Sequence, residues 1–125
     1  MTEKFIEEFL NKVNEYYTCY YEEAPVTTKF PYIVIPTLTL SSLNNGYLCI
    51  TDLFIYINEL SDESIENICD TLRTNLDNYS FFNQDKGIGF HTNFENQTIS
   101  NINEQDLSIR KISFSSRIFE IKKEG

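Results

Sequence analysis

His91 is the only histidine in the chain, and Cys19, Cys49 and Cys69 are its only thiols. A Cys–His nucleophile or a soft metal site would have to be built from these four residues. Nothing around them completes such a site. His91 stands between the aromatic Phe90 and Phe94, and no acidic or thiol neighbour completes a metal motif beside it. The cysteines are odd in number and share no paired spacing, which predicts buried free thiols in a reducing compartment. Three carboxylate pairs occur, Glu7-Glu8, Glu22-Glu23 and Asp62-Glu63. The first and third fall in helical segments, where acids are solvated or face the positive end of the helix dipole. Glu22-Glu23 is different, because it sits beside Tyr20, Tyr21 and Pro25 in an acidic, aromatic loop. Gly87-Ile88-Gly89 lacks the further glycines and the Lys-Ser/Thr pair of a phosphate loop, and reads as small turns between strands. The residues therefore predict no catalytic, cofactor-binding or metal-ligating group, and a chain that is not an enzyme.

With 125 residues, 41% hydrophobic and 14% aromatic, the chain is the size of one domain and rich enough to pack one core. Nineteen acidic against ten basic side chains give a net charge of −9. Arg110-Lys111 and Lys122-Lys123 are the only basic groupings, too few to displace counterions from a nucleic-acid backbone. No apolar stretch has the roughly 20 residues of a membrane helix. Met1–Lys4 opens straight into an amphipathic, acid-bearing pattern, unlike a signal peptide, and predicts an intracellular chain.

Periodicity supplies the elements. Phe5, Ile6, Phe9, Leu10, Val13 and Tyr17 recur at helical spacing and predict a helix over 3–17. Tyr20 to Pro25 breaks that period and reads as a short extended piece entering a loop. Phe30-Pro31 then introduces the strand Tyr32–Ile35, and Pro36 marks a strand end, bulge or edge. Asn44-Asn45-Gly46 signals a hairpin into a strand from Tyr47 to Ile57, whose two faces are both rather apolar. That predicts a central strand, or one covered by a neighbouring subunit. A second helix is expected from Ser61 to Leu76, with Ser61 as cap, Leu60 stapled to Ile65, and Asp77-Asn78 ending it. Phe81 to Phe94 suggests a strand or two broken at Asp85-Lys86-Gly87, and Asn93 to Gln105 a loop. Leu107 to Ile121 is a final strand, and a switch of its apolar parity predicts a bulge or bend near Lys111. The expected architecture is α+β, in the order α-β-β-α-β-β. It places two helices on one face of a largely antiparallel sheet of about four strands, as a single domain over 1–125.

This succession of segments resembles the small tail-terminator (tail-completion, head–tail joining) proteins of tailed bacteriophages. The likeness rests on the N-terminal helix followed by Tyr20-Tyr21-Glu22-Glu23-Ala24-Pro25, and on Phe30-Pro31-Tyr32-Ile33-Val34. It continues through Thr51-Asp52-Leu53-Phe54-Ile55-Tyr56 after the hairpin, the helix Ser61 to Leu76, and a closing strand with Ile109-Arg110-Lys111. The resemblance implies a structural virion protein assembled in the host cytoplasm, with no catalysis and no cofactor. Its partners would be copies of itself in a ring, typically a hexamer, together with the tail-tube protein and the head connector or neck protein. DNA would only pass through the lumen, and no membrane is involved. Six copies at −9 each carry −54, and acids lining the bore would keep DNA from sticking.

Ring contacts of this kind need two complementary patches per subunit. The candidates are Tyr20, Tyr21, Glu22, Glu23, Pro25 and Phe30, with the Phe81-Phe82 pair; each aromatic among them serves equally well as core filler. A small acidic immunity or inhibitor protein, binding one basic toxin or nuclease one-to-one, fits the same charge and the same lack of an active site.

Overall fold

The computed structural model describes residues 2–98 and 107–121. In chain order the elements are α1 (Thr2–Asn14), β1 (Cys19–Tyr21), β2 (Tyr32–Ile35), β3 (Leu38–Leu43) and β4 (Gly46–Asn58). They continue with α2 (Ile65–Leu76), β5 (Tyr79–Asn83), β6 (Ile88–Thr98) and β7 (Leu107–Glu120). The strands form one seven-stranded sheet in the order β1-β2-β4-β7-β6-β5, with β3 also on β4. β1 runs parallel to β2 and every other pair is antiparallel, so the sheet is mixed.

The expectation of two helices on a four-stranded antiparallel sheet is therefore overturned: this is a curled, mixed half-barrel of seven strands. Three local features conceal the extra strands in the sequence. β1 is three residues long and begins close behind a helix. β3, Leu-Thr-Leu-Ser-Ser-Leu, reads as the tail of β2, although Pro36 separates them. β6 runs through the polar Asn93–Thr98, which reads as a loop; the remainder of the expected loop, 99–105, lies outside the described residues.

Phe5, Phe9 and Val13 turn the buried side of α1 onto the sheet, and Phe5 meets Phe90 of β6 edge to face at 4.9 Å. Asn14 ends the helix and fastens the next strand. Its side-chain amide donates to the carbonyls of Leu10 and Cys19 (2.8 and 3.2 Å), and its oxygen accepts from the Cys19 N–H at 3.0 Å. Two corrections concern α2. Its cap is Ser64, whose hydroxyl accepts from the Asn67 N–H, while Ser61 belongs to a turn closed on Asn58. Leu60 is 84% exposed and staples nothing. Asp77 and the left-handed Asn78 (φ 58°) close the helix as expected.

β4 and β7 pair without interruption from Tyr47↔Ile118 to Asn58↔Leu107, so there is no bulge near Lys111. The register shift is on β6, between Phe94 and Asn96. The parity switch has another origin: β7 carries apolar side chains on both faces, Ile112, Phe114 and Ile118 inward and Ile109 and Phe119 outward.

Candidate interaction surface

The two faces of the sheet differ. Cys49, Leu53 and Ile55 of β4, Ile112, Phe114 and Ile118 of β7, and Phe90 of β6 lie under the helices in one core. Among the described residues no helix lies over the opposite face. There the even-numbered residues of β4, among them Ile50, Phe54 and Tyr56, are only half-buried.

Two apolar patches stand on that open face. The first is at the β1–β2 margin, where Phe30, Tyr32 and Tyr56 form a row. Their ring centroids are 5.2 and 5.0 Å apart, and Tyr32 stacks on Tyr56 at 13°. Tyr20 and Val34 continue the patch on the same face. Burial raises the Tyr56 hydroxyl above its ordinary pKa, with the neighbouring Tyr32 adding to the effect. The second patch is at the other end of the strands and toward the β5 margin. Phe82 is 66% exposed there, and the Phe119 ring covers Gly89 where any side chain would collide with it. Beside it, Leu43, Tyr47, Arg117 and Phe119 line a recess of about 390 Å3 against the β3–β4 turn. A polar strip separates the patches: Ser113 donates to Asp52, Ser115 to Glu95, and Lys111 lies 3.9 Å from Asp52.

The structure divides the candidate residues between the two margins and the core. Tyr20 is on the open face, whereas Tyr21 points to the covered one and packs on the core. Glu22 and Glu23 are exposed where the chain turns away from β1, Glu22 with φ 72° and its N–H bound to the Ile35 carbonyl at 2.8 Å. Pro25 is exposed in the following loop, and Phe30 is 36% exposed. Phe81 stacks on Phe90 inside, and Phe82, its neighbour, faces outward. Sequence reasoning missed Tyr32, Tyr56 and Phe119. The signal available was the apolar character of both faces of β4 and β7.

His91 is half-buried in the middle of β6 on the open face, with Nδ1 2.5 Å from the Ser80 hydroxyl. The three cysteines are buried on the other side of the sheet, so no Cys–His pair forms. Burial pushes the Cys19 thiol up to about 12 and the Cys69 thiol to about 11. Among the described residues no group of three or more His, Cys, Asp or Glu is placed to hold a metal, and no helix is long and apolar enough to cross a membrane. Arg110 and Lys111 do not form a basic patch. Arg110 turns inward and pairs with Glu66 of α2, while Lys111 faces the open side; Lys122-Lys123 lies outside the described residues.

The helices carry Glu3, Glu7, Glu8, Glu66 and Asp70 against Lys4, Lys12 and Arg73, and three of those acids are paired, Glu8 with Lys86, Glu66 with Arg110 and Asp70 with Arg73. On the open face, Asp52 and Glu95 are matched by Lys111 and Arg117. No protein-family model matches the chain, and no curated protein matches it significantly.

Proposed function

We propose that the protein is an assembly subunit without chemistry of its own. Copies of it form a ring, in the manner of a phage tail terminator, that caps the head-proximal end of a tail tube, stops its growth and joins it to the neck. One observation carries the reading: a single sheet presents two exposed apolar patches at diagonally opposite corners, Phe30–Tyr32–Tyr56 at one and Phe82–Phe119 at the other. Head-to-tail association requires two different patches on each subunit, whereas a lone inhibitor needs only one. The segment order that resembles the tail terminators supports the same reading. Each copy carries a net charge of −9, and acids turned toward the bore of such a ring would repel the DNA backbone and let the genome slide.

Negative-stain microscopy and native mass spectrometry of the protein, alone and with tail tubes, test this. Closed rings or capped tube ends are expected. A monomer that ignores tubes but forms a one-to-one complex with a basic toxin or nuclease would replace the reading with the inhibitor one.

A further inference from the structure

Both margins of the sheet end in strands without a charged residue. β3, Leu-Thr-Leu-Ser-Ser-Leu, and β5, Tyr-Ser-Phe-Phe-Asn, contain no Asp, Glu, Lys or Arg, in a chain that is 23% charged. Unpaired strand edges invite further strands, and edges meant to stay free are blunted by charge, proline or a bulge. Neither edge here carries such a guard. Among the described residues β3 pairs only with β4, and β5 only with β6.

The place beside β3 is also shaped for a strand. β1 occupies the outer lane next to β2 as far as Tyr21↔Ile35, and at Glu22 the chain leaves that lane with a left-handed turn. Beyond it, none of the described residues pairs with the outer side of the six-residue β3. Following the register across the sheet, Leu40 lies level with Cys49, Ser116, Thr92 and Tyr79, and Ser42 with Tyr47, Ile118, Phe90 and Phe81. The free edges of β3 and β5 are thus at one height on opposite margins. They also run in the same direction, because three antiparallel steps carry β4 to β5 and one carries it to β3.

We infer that β5 of one copy adds in parallel to β3 of the next, filling the lane that β1 vacates and continuing the sheet from subunit to subunit. This rests on the ring reading and supplies its contact. A rotation about an axis along the strands keeps both height and direction, so one repeated contact consumes both edges. At that height Leu40, 43% exposed, comes beside Tyr79, and Leu43, 39% exposed, beside Phe82. A second copy suits the lane better than a foreign peptide: chains of charge −9 repel each other, and β3 and β5 meet with no carboxylate on either strand, the nearest being Glu22 and Glu23 where the lane opens and Asp77 and Asp85 flanking β5.

Two full-length variants test it, Leu40→Glu on β3 and Phe82→Glu on β5, both at exposed positions where folding is checked by circular dichroism. Each alone is expected to be monomeric by sedimentation. Their mixture is expected to form a one-to-one dimer and nothing larger, since each keeps the edge the other lacks. If Phe82→Glu still dimerises alone while Leu40→Glu does not, β3 pairs with itself and the inference is wrong. If both variants assemble like the wild type, the edges are not the contact, although the ring reading survives. A wild type that stays monomeric at the highest attainable concentration and also leaves tail-tube ends uncapped removes the self-assembly reading and this contact together.

Discussion

Gly46 opens β4 with φ +142°, and a Cβ there would stand 2.2 Å from the carbonyl oxygen of Ile118. Neither Asn44 nor Asn45 takes a positive φ, so this glycine alone carries the left-handed step of the hairpin. Gly46→Ala adds backbone strain of about 1–3 kcal/mol to the clash, and urea unfolding should register a loss of at least that size. Asn14 is a second pivot, since one side chain satisfies both backbone groups of Cys19. Asn14→Ala should cost about 1–3 kcal/mol by leaving those groups unpaired, measured the same way. The thiols supply a pH dependence. Cys19 titrates near 12 and Cys69 near 11 because burial disfavours the thiolate, against an ordinary 9.0. A raised thiol pKa stabilises the fold fully below the unfolded value and loses that contribution as pH climbs through the folded one. Stability should therefore fall from about pH 9 toward pH 12. At pH 8 the native thiols should resist a disulfide reagent that reacts with them once the chain is unfolded.

Aromatic side chains of one kind play opposite roles in different elements. Phe5 of α1 is 0% exposed and holds the helix to β6 through Phe90, whereas Phe30, 36% exposed, sits at the edge of the open face. Phe5→Ala should cost about 3–5 kcal/mol and loosen α1. Phe82→Ala on β5, 66% exposed, should cost the monomer about 1 kcal/mol or less while weakening self-association, a contrast that thermal unfolding and sedimentation together would reveal. The helices were largely legible in the sequence, because Phe5, Phe9 and Val13, like Ile65, Ile68, Leu72 and Leu76, must all turn to one side to be buried. The start of α2 was not: Ser61 and Ser64 are both chemically competent caps, and only the turn around Asn58 leaves the role to Ser64.

At the scale of the whole molecule, charge and exposed apolar surface oppose each other. Each copy carries −9, so assembly through uncharged margins works against long-range repulsion. Salt shortens the reach of that repulsion from about 30 Å at 0.01 M to about 8 Å at 0.15 M. Oligomers should accordingly strengthen as salt is added, visible as a rise in sedimentation coefficient; weakening with salt would mean that ion pairs drive assembly instead. The candidate surface was legible only in part. The acidic, aromatic segment from Tyr20 to Phe30 was marked out by composition, but composition does not separate Tyr21, turned to the core, from Tyr20, turned outward.

The sequence by itself determined the two amphipathic helices, the net charge, the hairpin at Asn44-Asn45-Gly46 and the burial of three thiols. These follow from local periodicity, from counts of residues and from the conformational freedom of glycine. Tertiary structure decided the number of strands, the one parallel pair and the side of the sheet left uncovered. Strand pairing is made between residues far apart in the chain. A three-residue strand such as β1 has no period of its own, and acquires its place only when β2 offers it hydrogen bonds.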